Sequence, residues 1–135
     1  MLRLLFIILP FALASCASFV NTHRMKAAQR KMLDARKLQQ AGQWDEALAM
    51  VPRMQSSVSK SVASAPVQKS AAGTAVDLRP LLAAWENGPL AGLKSALEKK
   101  DAQRSTTAFT ALRQQCVNCH TVLGRTEVRV DEIPD

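Results

Sequence analysis

Near the C-terminus of this 135-residue chain, residues 116–120 read Cys-Val-Asn-Cys-His. Two thiols three residues apart match the two vinyl groups of one porphyrin, and the imidazole that follows can bind iron from below. The spacing therefore predicts covalent attachment of one c-type haem through Cys116 and Cys119, with His120 as proximal iron ligand. Other chemistries fit less well. A structural zinc ion needs about four Cys/His ligands, and only Cys16 and His23 are left to complete a set. A thioredoxin-like dithiol wants a βαβ setting, and no alternating apolar strand precedes Cys116. No general acid–base pair or activated nucleophile stands out, so hydrolytic catalysis has no support and the chain reads as a non-enzyme.

The N-terminus carries a second, independent signal. Met1-Leu2-Arg3 is a short positive start, and the apolar run from Leu4 to Ala14 has signal-peptide length, short of the roughly 20 residues of a membrane span. It ends in Leu13-Ala14-Ser15-Cys16, which looks like a bacterial lipobox, where the Cys thiol takes a diacylglycerol and the chain is cut just before it. The expectation is a signal over residues 1–15, a lipid on Cys16 and a short tether over 16–22. Such a protein lies on the periplasmic side of a bacterial membrane. An ordinary cut near Ser15-Cys16-Ala17, giving a soluble periplasmic protein, is the alternative. The cysteine count of three is odd, which calls for an explanation in an exported chain. Lipid on Cys16 and haem on Cys116 and Cys119 would leave no thiol over. Ala17 stands where an Asp commonly retains lipoproteins in the inner membrane, so outer-membrane sorting is open.

What remains after such a cut suffices for one small domain. The formal charge of +7 drops by one with Arg3, and two haem propionates would lower it further. A basic periplasmic protein faces an acidic partner or anionic lipid more readily than nucleic acid, or simply keeps solvated polar faces. With no Tyr and four Phe, two of them (Phe6 and Phe11) in the signal, the core lacks aromatic bulk. A porphyrin, a large apolar plate, would supply it.

Periodicity over the rest is helical. Asn21-Thr22 can cap a helix from about His23 to Ala41, with Met25, Ala28, Met32, Ala35 and Leu38 as its apolar stripe. Gly42 suits its C-terminal cap. A second helix places Trp44, Ala47, Leu48, Val51, Met54, Val58 and Val62 on one side, and Pro52 should kink or split it. The hairpin around Ala41–Leu48 also reads like one helical repeat, but repeats need about three copies. From Ala63 to Ala75 the Ser, Ala, Gly and Pro content predicts a flexible connection. Arg79-Pro80 opens a third stretch, Asn87-Gly88-Pro89 breaks it, and helix resumes from Leu90 to about Lys100. Asp101 can cap a last helix whose apolar face is Ala102, Ser105, Phe109, Leu112, Cys116, Cys119 and Leu123, closed by Gly124. The charged tail, 125–135, reads as loose.

The fold class predicted is all-α: an antiparallel four-helix bundle over residues 23–124, with the haem on the last helix. On these residues the chain resembles the cytochrome c prime family. The resemblance rests on Asp101 before the last helix, Phe109 seven residues ahead of Cys116, and Cys116-Val117-Asn118-Cys119-His120 near the end of that helix. Ordinary class I cytochromes c carry the motif early and need a long downstream segment for a Met ligand; only residues 121–135 follow here. The family usually places an aromatic and a basic residue three and four positions after the His. This chain has Leu123 and Gly124 there, with Arg125 one step later as the candidate for a propionate contact.

In the antiparallel arrangement the start of the first helix lies beside the end of the last. Met25, and after it Met32, are therefore the candidates for second axial ligand, with His23 a more distant third. Methionine ligation stabilises ferrous iron and suits an electron carrier; both residues are also ordinary core formers. In Met-ligated relatives of cytochrome c prime the ligand comes from this helix. The function expected is a membrane-tethered monohaem cytochrome passing single electrons to a redox protein or membrane-bound electron-transfer complex. The alternatives are a five-coordinate haem that binds nitric oxide or carbon monoxide, as in other members of the family, and a haem-free helical interaction lipoprotein. Pairing of two copies, common among those relatives, is open.

Overall fold

Polar and apolar residues alternate at helical spacing along most of the chain, and helix is what most of it forms. The computed structural model describes the backbone of residues 5–133 and the side chains of residues 20–133. Cys16 therefore lies outside the described side chains. Helix α1 spans Leu5–Gln40 and α2 spans Trp44–Ser64. Strands β1 (Val67–Lys69) and β2 (Ala75–Asp77) form a small antiparallel hairpin, with Gln68 opposite Val76. Helix α3 (Arg79–Trp85) runs through a π turn at Glu86–Leu90 into α4 (Ala91–Glu98), and α5 covers Ala102–Val122. The class is all-α with one hairpin.

The turn after α1 shows how local chemistry sets an element boundary. Gly42 adopts φ 74°, where a side chain would be strained. Gly42 then donates to the Gln39 carbonyl (3.0 Å) and Gln43 to the Leu38 carbonyl (2.9 Å), closing two orphan carbonyls of α1. The reversal sets α2 along α1. Ala28, Met32 and Ala35 from α1 then meet Ala47, Val51 and Met54 from α2 in the main core, completed by Trp85, Leu90, Leu93, Leu97, Phe109 and Leu112. Arg36 is buried at the same level. It donates to Gln39 (2.6 Å) and to Thr106 Oγ1 (2.9 Å), and its guanidinium sits 5.9 Å from the Phe109 ring centre.

Several expectations need correction. Helix α1 begins far upstream of the start expected at about His23, and residues 16–22 are helical backbone. Pro52 does not split α2: it is exposed and costs one backbone donor on the outer face, while the buried stripe continues past it. Asn87-Gly88-Pro89 does not end the third stretch either. Pro89 cannot donate and its ring crowds the preceding turn, and the helix accommodates it by widening, with the Ala91 amide reaching back to the Glu86 carbonyl. The segment 63–75, expected to be flexible, holds β1 and the turn that returns through Gly73 (φ 81°) to β2. The tail is not loose over its described length. Val130 is buried, and Arg113 donates to the carbonyls of Val130 (3.1 Å) and Asp131 (2.9 Å).

Candidate haem-attachment site

Helix α5 is anchored at its start by Asp101, whose Oδ1 accepts the Arg104 amide at 2.9 Å. From that fixed origin, Ser105, Phe109 and Leu112 turn inward and are fully buried. Continuing at spacings of three and four along the same face, Cys116 packs against the main core and Cys119 against a second cluster. That cluster is formed by Val62, Leu78 and Leu123, with Val76, Leu81 and Leu82 beside them. The thiols thus bridge two apolar clusters on the inward side of one helix.

The electrostatics follow from that burial. The Cys116 thiol is pushed up to about 11, first by burial and then by the neighbouring Cys119. Burial likewise raises Cys119. Both are protonated near neutral pH, which opposes the thioredoxin-like reading, since dithiol exchange needs an accessible thiolate. His120 is half-buried, and burial lowers its imidazole from the ordinary histidine value against the opposing pull of the Val128 backbone and Glu127. Its Nδ1 is buried without a hydrogen-bond partner. A neutral imidazole is the form that binds a metal. Buried polar atoms normally have partners, so the orphan nitrogen suits a ring that a bound group would reorient.

The residues present therefore fit a porphyrin: two protonated thiols, one neutral imidazole and an apolar wall on a single face. A zinc ion fits worse. No group of three or more His, Cys, Asp or Glu converges as a ligand set among the described residues, whereas haem iron asks one nitrogen of this face. His23 is exposed and lines a groove between α1 and α2 instead.

The two methionines are separated by helix register. Arg36 on α1 lies level with Thr106 and Phe109 on α5. Seven residues earlier on α1, Gln29 donates to Asp131, whose carbonyl takes Arg113 of α5. The two helices therefore run in opposite directions, and Met25 falls level with the stretch from Val117 to His120. Met32 falls level with Thr110–Arg113, about 10 Å further down the axis, where it is fully buried in the main core. Met25 is half-buried.

Sequence reasoning missed the hairpin's part in this site. The Ala71 amide donates to the Leu123 carbonyl at 2.9 Å, and Arg125, at the end of α5, donates to Gln68 of β1 at 3.2 Å. Arg125 also closes the helix, its amide reaching the His120 carbonyl at 2.9 Å. A signal existed in the Gly73 turn between Val67-Gln68-Lys69 and Ala75-Val76-Asp77, but three-residue strands are too short to show period-two patterning. Among the described residues no helix is long and apolar enough to cross a membrane. Comparison with protein-family models, curated proteins and solved structures finds no match.

Proposed function

We propose that this chain is a c-type cytochrome of the cytochrome c prime kind. In this reading an antiparallel four-helix bundle carries one haem, held by thioethers to Cys116 and Cys119 and ligated by His120. The observation that supports it best is the buried, unpartnered Nδ1 of His120 on the face that also carries both protonated thiols. Val62, Leu78 and Leu123 would exclude water from the ring, and Arg125, whose amide closes the end of α5, would meet a propionate. When bound, the haem would supply reversible one-electron chemistry at iron. Met25 is the second axial ligand in this reading and Met32 the runner-up. Lipidation of Cys16 would hold the carrier at the periplasmic face of a bacterial membrane, beside a membrane-bound redox complex.

A haem stain on a denaturing gel, after expression with the haem-maturation machinery, tests the covalent attachment. Colour should stay with the band and be lost in the double substitution Cys116→Ser/Cys119→Ser. A colourless wild-type band sinks the reading in favour of a haem-free interaction protein. Ferrous spectra with and without carbon monoxide then separate the two haem functions, because a spectrum that shifts with the gas points to an open iron position and gas binding.

A further inference from the structure

Between α1 and α2 lies a groove of about 580 Å³. Arg24, Lys31, Arg53 and Lys60 line it, with His23 and Ser57, and no carboxylate does. None of the four cations is ion-paired among the described residues. The contacts that hold Arg24 and Lys31 are to neutral oxygens. Arg24 reaches the Lys60 carbonyl (3.3 Å) and Asn21 (3.4 Å), while Lys31 reaches Ser57 Oγ (2.8 Å) and the Arg53 carbonyl (3.4 Å). These bonds orient the two side chains without cancelling their charge. Four like charges around one concavity repel each other, and an anion bound there relieves that repulsion.

The position of the groove says which anion. Helix α1 is continuous from Leu5 to Gln40, so position 16 lies about 12 Å along the axis from Arg24. In helical register positions 16, 20, 23 and 27 share one face, and the last two belong to residues that line the groove. Val20, between position 16 and the first cation, is an exposed large apolar residue at 43%. An acyl attachment point, then an exposed apolar residue, then a ring of cations matches the order of layers from bilayer interior to headgroups.

We propose that this groove seats the phosphate headgroup of an anionic phospholipid, and that the end of the α1–α2 pair nearer position 16 therefore faces the membrane. The proposal rests on the reading of Cys16 as lipidated. It adds a second membrane contact that fixes orientation, which an acyl anchor alone leaves free. Each cation near an anionic surface contributes about five-fold in binding (about 1 kcal/mol).

The full chain in nanodiscs of phosphatidylcholine, alone or mixed with phosphatidylglycerol, tests it. The rate at which a water-soluble reagent acetylates Lys60 is read by mass spectrometry, with Lys94 and Lys99 as internal references. Phosphatidylglycerol should slow labelling of Lys60 several-fold and leave the references unchanged. Added salt, or Arg24→Gln combined with Arg53→Gln, should restore the rate seen in neutral lipid. Equal labelling of Lys60 in both discs overturns the proposal. Equal protection by inorganic phosphate in neutral discs also overturns it, because the groove would then be a free-phosphate site. The intact mass separates the two readings: no diacylglycerol on Cys16 removes the anchor and the proposal with it, whereas an acylated chain without protection removes the groove alone.

Discussion

Ala71 and Gly124 touch: a Cβ built on Gly124 would stand 2.6 Å from the Ala71 Cβ. The hairpin turn is thereby pressed onto the end of α5, four residues after His120. Gly124 also holds φ 65°, which ends the helix and lets its carbonyls be capped. Gly124→Ala should therefore lose twice, once to backbone strain and once to the collision. The combined cost is about 2–4 kcal/mol, a fall in Tm of about 10 °C. Ala71→Gly in the same chain should recover the collision part and leave the strain, and a thermal melt of the four variants reads both.

Met25 and Met32 should separate cleanly. Met32→Ala opens a cavity in the main core and should cost about 2–5 kcal/mol while leaving the absorption spectrum of the haem-loaded protein unchanged. Met25→Ala, at a half-buried position, should cost about 1 kcal/mol but convert a low-spin spectrum into one that responds to carbon monoxide. Denaturant melts and visible spectra of both variants check this. The reverse pattern would move the ligand to Met32.

Lys100 occupies a position that glycine normally fills. It adopts φ 53°, and its amide and that of Asp101 close α4 by donating to the carbonyls of Leu97 and Ala96. Lys100→Gly should relieve left-handed strain in excess of the entropy that glycine adds to the unfolded chain, stabilising by about 0.5–1 kcal/mol. A rise in the denaturant midpoint at unchanged slope is the expected reading.

Asp77 joins β2 to α3, and Arg79 holds its carboxyl at about 2, below its ordinary 3.8, chiefly through side-chain hydrogen bonds at 2.7–3.2 Å. A carboxylate lowered in the folded state contributes stability that is present above the ordinary value and lost as pH falls toward the folded one. The advantage of the wild type over Asp77→Asn should therefore be constant above about pH 5 and shrink between about pH 4 and 2. Chemical melts across that range check the sign. The pair is exposed, so the difference should be small and should weaken in salt.

The helices were legible because their information is local. The stripe Ala28, Met32, Ala35 and the stripe Ala47, Val51, Met54 are written at helical spacing, and all six residues are buried. Gly42 and Gly124 marked helix ends for the same reason: a left-handed residue is a local need. Lys100 shows the limit of that signal, since the same turn forms without glycine. Pro89 misled, and Pro52 did not split α2, because a proline's cost depends on its face and on whether the helix can widen, and neighbours decide both.

By itself, the sequence determined the helical class and the capping that starts α5, and it carries the pentapeptide on which the proposed chemistry rests. Those depend on bonds between residues a few positions apart. Only the tertiary structure decided that Met32 is fully buried in the main core while Met25 is half-buried, that the hairpin and the tail pack back onto α5, and that four cations from two helices share one groove. These pairings join residues far apart in the chain. Their energies come from surfaces that exist only once the helices have docked, so no local pattern could announce them.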